Sequence, residues 1–230
     1  MKRRTLLGAV ISWPAVGAAA LCSVTLDGHR LQATDAGLRL RDARGRVLRD
    51  YPGRNLAGTR HGRASALLAL PHRRSLLAAW PALHEWWEIP LDPEAPPIFD
   101  GYVHDHRMGE AIASPGYLGV RRIPFDAPAP TPAFAPPGRA WVAAVDGGDV
   151  LVVHLDVRRT VARLPASGAR LAESRLCGDR WRVPVDGGTL TLDARRWTPV
   201  AESVSDTRGA CDEPGLDAAP VISVCVDPGR

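Results

Sequence analysis

At 230 residues, the chain is long enough to bury one sizeable core, so one domain or a tight pair is expected. Hydrophobic residues make up 45% and charged residues 23%, which excludes a disordered chain, while 22 Gly and 21 Pro announce many turns. The net charge of +4 falls to about +1 once Lys2, Arg3 and Arg4 are set aside, and the other basic residues, all Arg, are scattered without a contiguous block, which leaves no stripe suited to nucleic acid.

Residues 1–21 read as an export signal: Lys2, Arg3 and Arg4 precede an apolar stretch (TLLGAVISWPAVGAAAL) that ends in small residues. Arg3-Arg4 followed by Thr5, Leu6 and Leu7 is similar to a twin-arginine signal, which implies a periplasmic destination. A retained anchor helix is the alternative, so membrane contact is expected only through this segment. Lipidation of Cys22 is disfavoured because Leu21 stands where a small residue is usual.

From Cys22 onward the apolar spacing has period two, in short runs broken by Gly, Asp, Asn and Pro. Residues 22–91 are expected to hold the first two β repeats. Strands fall at 22–26, 30–34, 37–41 and 46–50, then at 65–70, 75–80 and 84–90. Residues 92–138 form a motif-bearing loop followed by a Pro-rich segment, 124–138, expected to be extended and outside any sheet. Residues 139–203 hold repeats three and four, with strands at 140–145, 150–155 and 159–164, then 174–177, 181–185, 189–193 and 196–201. The tail, 204–230, carries one last strand at 221–226, expected to complete the first sheet.

Groups two to four share a grammar of apolar strand, short polar turn (Pro71-His72-Arg73-Arg74, Asp146-Gly147-Gly148-Asp149, Asp186-Gly187-Gly188), second strand, and a corner before an edge strand. Recurrence roughly every 35 to 45 residues is the mark of propeller blades. One small sheet cannot bury both faces alone, so neighbouring sheets stack. The expected fold class is all-β, with blade-like four-stranded antiparallel repeats in a partial or small β-propeller; a meander β-sandwich is the alternative. The tryptophans at 80, 86, 87, 141, 181 and 197 are expected to fill the space between blades.

Cysteines stand at 22, 177, 211 and 225. In an oxidising compartment Cys211 could close a small loop with Cys225, and Cys22 could pair with Cys177, although other connectivities remain open. No CxxCH, CxxC or HExxH occurs, which removes covalent c-type haem and the common zinc signatures.

The segment WWEIPLDPEAPPIFDGYVHDHRMGEAIASPGYLGVRRIPFDAP (86–128) resembles the cytochrome d1-type propeller family: the haem d1 domain of dissimilatory nitrite reductase and the related haem d1 assembly proteins. VHDHRMGE…PGYLGVRR carries the resemblance, preceded by a run similar to the family's xLWEIxYDPxAPPIYDG. It implies a propeller, non-covalent binding of haem d1 or a related tetrapyrrole, and a place in denitrification. Family propellers usually have about eight blades, so this chain would be a shortened relative. His106 stands where the family has tyrosine or phenylalanine, and no cytochrome c module is present, so nitrite reduction is not expected.

His104, Asp105, His106 and Arg107 are the densest polar cluster. On a strand the two imidazoles would share a face and converge on a metal or tetrapyrrole, while Arg can grip carboxylates. The resemblance assigns His104, as iron ligand, and Arg107 to the cofactor; His106 is a further candidate, and Arg121 and Arg122 form a candidate anion site or a solvated turn. The architectural alternative is a loop clasp in which Asp105 fixes Arg107 and Glu110 pairs with Arg121 or Arg122. Arg60, His61 and Arg63 lie in a Gly-flanked loop and are expected at the surface. His29, His72 and His84 are read as turn or strand-edge residues, and His154 as a satisfied core histidine. No catalytic triad, phosphate loop or spaced carboxylate pair stands out.

Two functions follow: a periplasmic haem d1-type tetrapyrrole-binding or assembly accessory protein, or a non-catalytic envelope interaction module with a degenerate propeller fold. If the protein is an enzyme, it is an oxidoreductase acting on a tetrapyrrole. A homodimer or an envelope protein is the expected macromolecular partner.

Overall fold

The computed structural model describes residues 22–99, 113–200 and 222–225. The segment read as an export signal lies outside them. Among the described residues no helix is long and apolar enough to cross a membrane, and regular structure is β-strand with three short 3-10 turns.

Four antiparallel sheets follow one another along the chain. Sheet I is a meander of β1 (Ser23–Leu26), β2 (His29–Thr34), β3 (Gly37–Arg41) and β4 (Val47–Pro52). Sheet II contains β5 (Ala66–Leu70), β6 (Ser75–Trp80), β7 (Glu85–Pro90) and β8 (Arg121–Pro124). Sheet III holds β9 (Pro132–Phe134), β10 (Trp141–Asp146), β11 (Asp149–His154) and β12 (Arg159–Pro165). Sheet IV holds β13 (Arg175–Cys177), β14 (Arg180–Val185), β15 (Gly188–Asp193) and β16 (Thr198–Pro199). The last strand, β17 (Ile222–Val224), adds to the free edge of β5, making sheet II five-stranded.

The sheets stack in sequence order, with a separate core in each gap. Leu31, Leu38 and Leu40 of sheet I meet Leu67, Leu76, Trp80 and Trp87 of sheet II. The opposite face of sheet II, with Leu68, Leu77, Trp86 and Ile123, meets Val142, Ala144 and Val153 of sheet III. The other face of sheet III, with Trp141, Val150 and Val152, meets Trp181, Val183 and Leu192 of sheet IV. Alternation across a strand makes this possible: Trp86 and Trp87 are adjacent in sequence yet fill different cores. The expected blade-like class is therefore observed, with tryptophans as the large fillers.

Turn chemistry sets the registers. Gly147 (φ 58°) and Gly148 (φ 92°) both take left-handed backbone between β10 and β11, as a two-residue hairpin turn matched to strand twist requires. The β5–β6 and β6–β7 links use a different device: Pro71 and Pro81 each start a 3-10 turn, closed by Arg74 and His84 in the left-handed region.

Three expectations are corrected. The Pro-rich segment does enter a sheet, because β9 pairs with β10 through Ala143 and Ala144; it is an edge strand, where a missing proline N–H is tolerated. The tail strand joins sheet II and not sheet I, with Ile222 opposite Leu68 and Val224 opposite Ala66. Cys22 is bonded to Cys225, across 203 positions and a Cα–Cα distance of 4.9 Å. The reason is placement: β1 packs beside β5 and β17, so the disulfide clasps the last strand to the first. Cys177 is also disulfide-bonded, and Cys211 lies outside the described residues.

Candidate functional site

The motif singled out in the sequence is a two-strand unit of sheet II, β7 and β8, joined by a long connection. His104, His106 and Arg107 fall on that connection and lie outside the described residues, as do Asp105 and Glu110. Its two arms, 91–99 and 113–120, are described, and they show how the loop is rooted.

The arms are held to each other and to the sheets. Ile98 and Ser114 exchange backbone hydrogen bonds of 2.9 Å. Gly116 lies so close to the outgoing arm that a Cβ would fall 2.2 Å from the carbonyl oxygens of Ala95 and Pro96, so only glycine fits. Leu118, with φ 55°, donates its N–H to Pro90 O at 2.9 Å. Its carbonyl accepts from Tyr51 Oη and Arg49 Nη1 of β4, both at 2.9 Å. Burial pushes the Tyr51 hydroxyl pKa up, with Arg49 opposing, so this donor keeps its proton through the physiological range.

The strands beneath alternate strictly. On the face toward sheet III, the Glu88 carboxylate is 1% exposed and accepts from Arg73 Nε at 2.8 Å, Arg121 Nη1 at 2.9 Å and Ser75 Oγ at 2.9 Å. Burial works against a charge on Arg73, but Glu88 and then Asp156 outweigh it, and its pKa is raised. Arg73 also reaches Asp156 of the β11–β12 turn at 2.8 Å. On the face toward sheet I, the Glu85 carboxylate takes the indole N–H of Trp87 at 2.6 Å and the guanidinium of Arg122. Arg122 lies 4.5 Å over the Trp87 ring, a cation–π contact. Arg121 and Arg122 thus sit on a strand, not in a solvated turn, and their charges are matched by Glu88 and Glu85.

The Glu88 contacts belong to a polar belt that crosses all four sheets at the end where the motif loop emerges. Arg74 bridges Asp27 of the β1–β2 turn, at 3.8 Å, and Asp92 of the outgoing arm, at 3.2 Å. His72 Nε2 hydrogen-bonds with Arg139 O at 2.8 Å. Arg139 in turn bonds Asp179 of the β13–β14 turn at 2.8 Å, which Arg195 also pairs at 2.7 Å. Arg158 donates to Phe99 O at 3.0 Å, fixing the outgoing arm against sheet III.

The other histidines and the second basic loop divide. Arg60, His61 and Arg63 are exposed, and Arg63 pairs with Asp35 at 3.1 Å. His154 corrects the reading of a satisfied histidine: its buried Nδ1 meets no hydrogen-bond partner among the described residues. Neither does a group of three or more metal-ligating side chains occur among them.

Stacked four-stranded meanders with a polar rim define a propeller-like β-protein. No protein-family model matches the sequence, and no curated protein does. Among solved structures it is similar to the dihydro-haem d1 dehydrogenase NirN in complex with DHE, at 22% identity and TM-score 0.54, over 76% of this chain and 35% of that one. It is also similar to AztD of Citrobacter koseri, at 11% identity and TM-score 0.50, over 78% of this chain and 45% of that one. The chain thus spans less than half the length of either structure, and the likeness is one of fold.

Proposed function

We propose that the protein is a periplasmic, haem d1-type tetrapyrrole-binding or haem d1 assembly accessory protein that holds its ligand non-covalently through the loop of His104, His106 and Arg107. One observation supports this reading: the described arms on either side of that loop are held to the sheets, Leu118 by Tyr51 and Arg49 and Phe99 by Arg158. The likeness to NirN, a protein whose structure holds DHE, supports it. The donor set fits the group. Imidazole is an ordinary axial ligand of haem iron, and guanidinium pairs with macrocycle carboxylates through two parallel hydrogen bonds. Bound, the group would supply redox chemistry at its iron and ring; the chain supplies His104 as ligand and Arg107 as carboxylate grip. Arg121 and Arg122, paired to Glu88 and Glu85, root the return strand in this reading.

The test is a visible-spectrum titration with haem d1 or its dihydro precursor. A Soret shift at micromolar ligand, abolished by His104→Ala and weakened by Arg107→Ala, is expected. No shift for the wild-type chain would replace this reading with that of a ligand-free envelope interaction module.

A further inference from the structure

Between β4 and β5 the chain makes an excursion, residues 53–65, that belongs to neither sheet. It doubles back as a small hairpin. Arg54 and His61 form an antiparallel bridge. Gly58, with a left-handed φ of 69°, donates its N–H to Asn55 O at 3.0 Å and closes a turn with Leu56 and Ala57 at its tip. The Asn55 side chain braces the turn, accepting from the N–H of Arg60 and donating to Thr59 Oγ1, both at 3.0 Å. At the base, Gly62 N–H donates to Gly53 O at 3.0 Å. Neither glycine has room for a side chain, since a Cβ on Gly53 would fall 2.8 Å from the Trp80 ring and one on Gly62 2.9 Å from Ala82. The hairpin is thus seated against sheet II.

Leu56, at the tip, is 61% exposed, more than any other large hydrophobic side chain among the described residues. A lone exposed leucine is ordinary, but this one stands between cations. Arg54 precedes the tip and Arg60 follows it, one on each leg; both are exposed, and neither guanidinium makes a hydrogen bond or ion pair among the described residues. Arg63 pairs with exposed Asp35 at 3.1 Å. The sequence holds no acidic residue between Asp50 and Glu85, so the hairpin supplies no carboxylate of its own.

Its place in the fold adds a direction. Cys22, Ala33, Leu38 and Tyr51 stand in one register row across sheet I, so β1 begins at the end where β4 delivers the chain into the hairpin. Cys225 N–H donates to Ser65 O at 2.8 Å, which puts the Cys22–Cys225 disulfide beside the hairpin's return. The motif loop leaves β7 at the other end. Residues 1–21, read from the sequence as an export signal or a retained anchor, lead into Cys22, so an anchored chain meets the membrane with the hairpin's end.

We propose that this hairpin docks on an anionic phospholipid surface, tip first, with Leu56 entering the headgroup boundary and Arg54 and Arg60 meeting lipid phosphates. Apolar burial and charge are the two attractions that hold peripheral proteins to such surfaces. An acidic protein surface would match the cations alone, and the leucine at the tip decides for the bilayer. Two cations and one leucine supply less than a single acyl chain does, so the contact orients the protein and does not anchor it. The hairpin shares no residue with the motif loop, and its role stands whether or not a tetrapyrrole binds.

The test is co-sedimentation of the full chain with phosphatidylcholine vesicles, with and without phosphatidylglycerol. More chain should pellet with the anionic vesicles, and the excess should shrink as salt rises from about 0.05 M to about 0.5 M. Arg54→Gln combined with Arg60→Gln should lower partition onto anionic vesicles by about tenfold or more and leave phosphatidylcholine unchanged. Leu56→Ser should lower it by about tenfold. The N-terminal segment is the same in every variant, so binding through it alone would leave them equal to the unsubstituted chain and overturn the proposal. Absence of any excess on anionic vesicles would overturn it too, as would a double variant that loses soluble polyglutamate but not vesicles, the mark of an acidic protein partner. The substituted side chains are exposed and outside every sheet; near-ultraviolet circular dichroism checks the fold, and if one variant misfolds the other decides.

Discussion

Sheets I and II contain the same four-strand meander, yet their burial differs throughout. Every residue of β5 (ALLAL) and of β6 (SLLAAW) is buried, whereas β3 (GLRLR) alternates between buried and half-buried side chains. Sheet II lies between two neighbours and needs apolar side chains on both faces. Among the described residues sheet I has a neighbour on one face only, and its other face carries Arg30, Gln32, Arg39 and Asp50. A continuous apolar run therefore marks an interior blade and an alternating run a terminal one, by the logic that separates sheets covered on both faces from those that face water on one.

Removing a side chain from the middle of each sheet tests that contrast most strongly. Leu77→Ala, in β6, should cost about 2–5 kcal/mol, the range for emptying a core site. Gln32→Ala, on the outward face of β2, should stay within about 0.5 kcal/mol, as surface changes do. Urea midpoints of the two variants measure both, and a similar loss for the two would mean that the outer face of sheet I is packed against something.

The same contrast explains what the sequence made legible. Period-two patterns and turn residues locate the strands of sheets I and IV to within a residue or two, and the continuous runs locate β5, β6 and β10 equally well. β8 is missed because Arg121 and Arg122 interrupt any apolar period. Their partners, Glu88 and Glu85, come from a strand separated from β8 by the motif loop, and such pairing has no local signal. β9 is missed because prolines mask an edge strand. The flanking of Trp86-Trp87 by Glu85 and Glu88 was the available clue: on a strand it places one acid on each face of β7. Of the candidate site, the motif loop stands out in the sequence, but His104, His106 and Arg107 lie outside the described residues. The hairpin between β4 and β5 shows its Arg60, His61 and Arg63 in the sequence, whereas its seat against Trp80 has no local signal.

Charge pairing sharpens the comparison further. Glu88 is buried with Arg73 and Arg121, 15% and 25% exposed, so Glu88→Ala leaves two guanidiniums with only the exposed Asp156 as counter-charge and should cost about 3 kcal/mol. The pair of Arg39 and Asp50 in sheet I has the same chemistry at 2.7 Å, but its side chains are 40% and 56% exposed. Asp50→Ala should cost clearly less than Glu88→Ala, because solvent already screens that pair. Thermal melts of both variants at one ionic strength provide the measurement; equal costs would show that Glu88 is solvated and that the rim beneath the motif loop is softer than its hydrogen bonds suggest.

The smallest expected effect is the acid response of the terminal sheets. Asp50 has its pKa lowered by the hydrogen bond from Arg39, Asp42 by that from Arg46, and Asp193 by the backbone N–H groups of Arg195 and Arg196. A carboxyl whose folded pKa lies below its unfolded value stabilises the fold above the unfolded value. That contribution is lost as pH falls through the folded one. Stability should therefore decline below about pH 4, where unfolded aspartates begin to take up protons that these folded ones resist. Because Asp50 is exposed and Asp42 and Asp193 are only partly buried, each step is shallow. Asp50→Asn should flatten the decline of melting temperature between roughly pH 4 and pH 2 without changing its value at neutral pH by more than a few degrees. A profile that superimposes on that of the unsubstituted chain would show that the pairing of Arg39 with Asp50 contributes nothing to folding, and that sheet I depends on its single buried face alone.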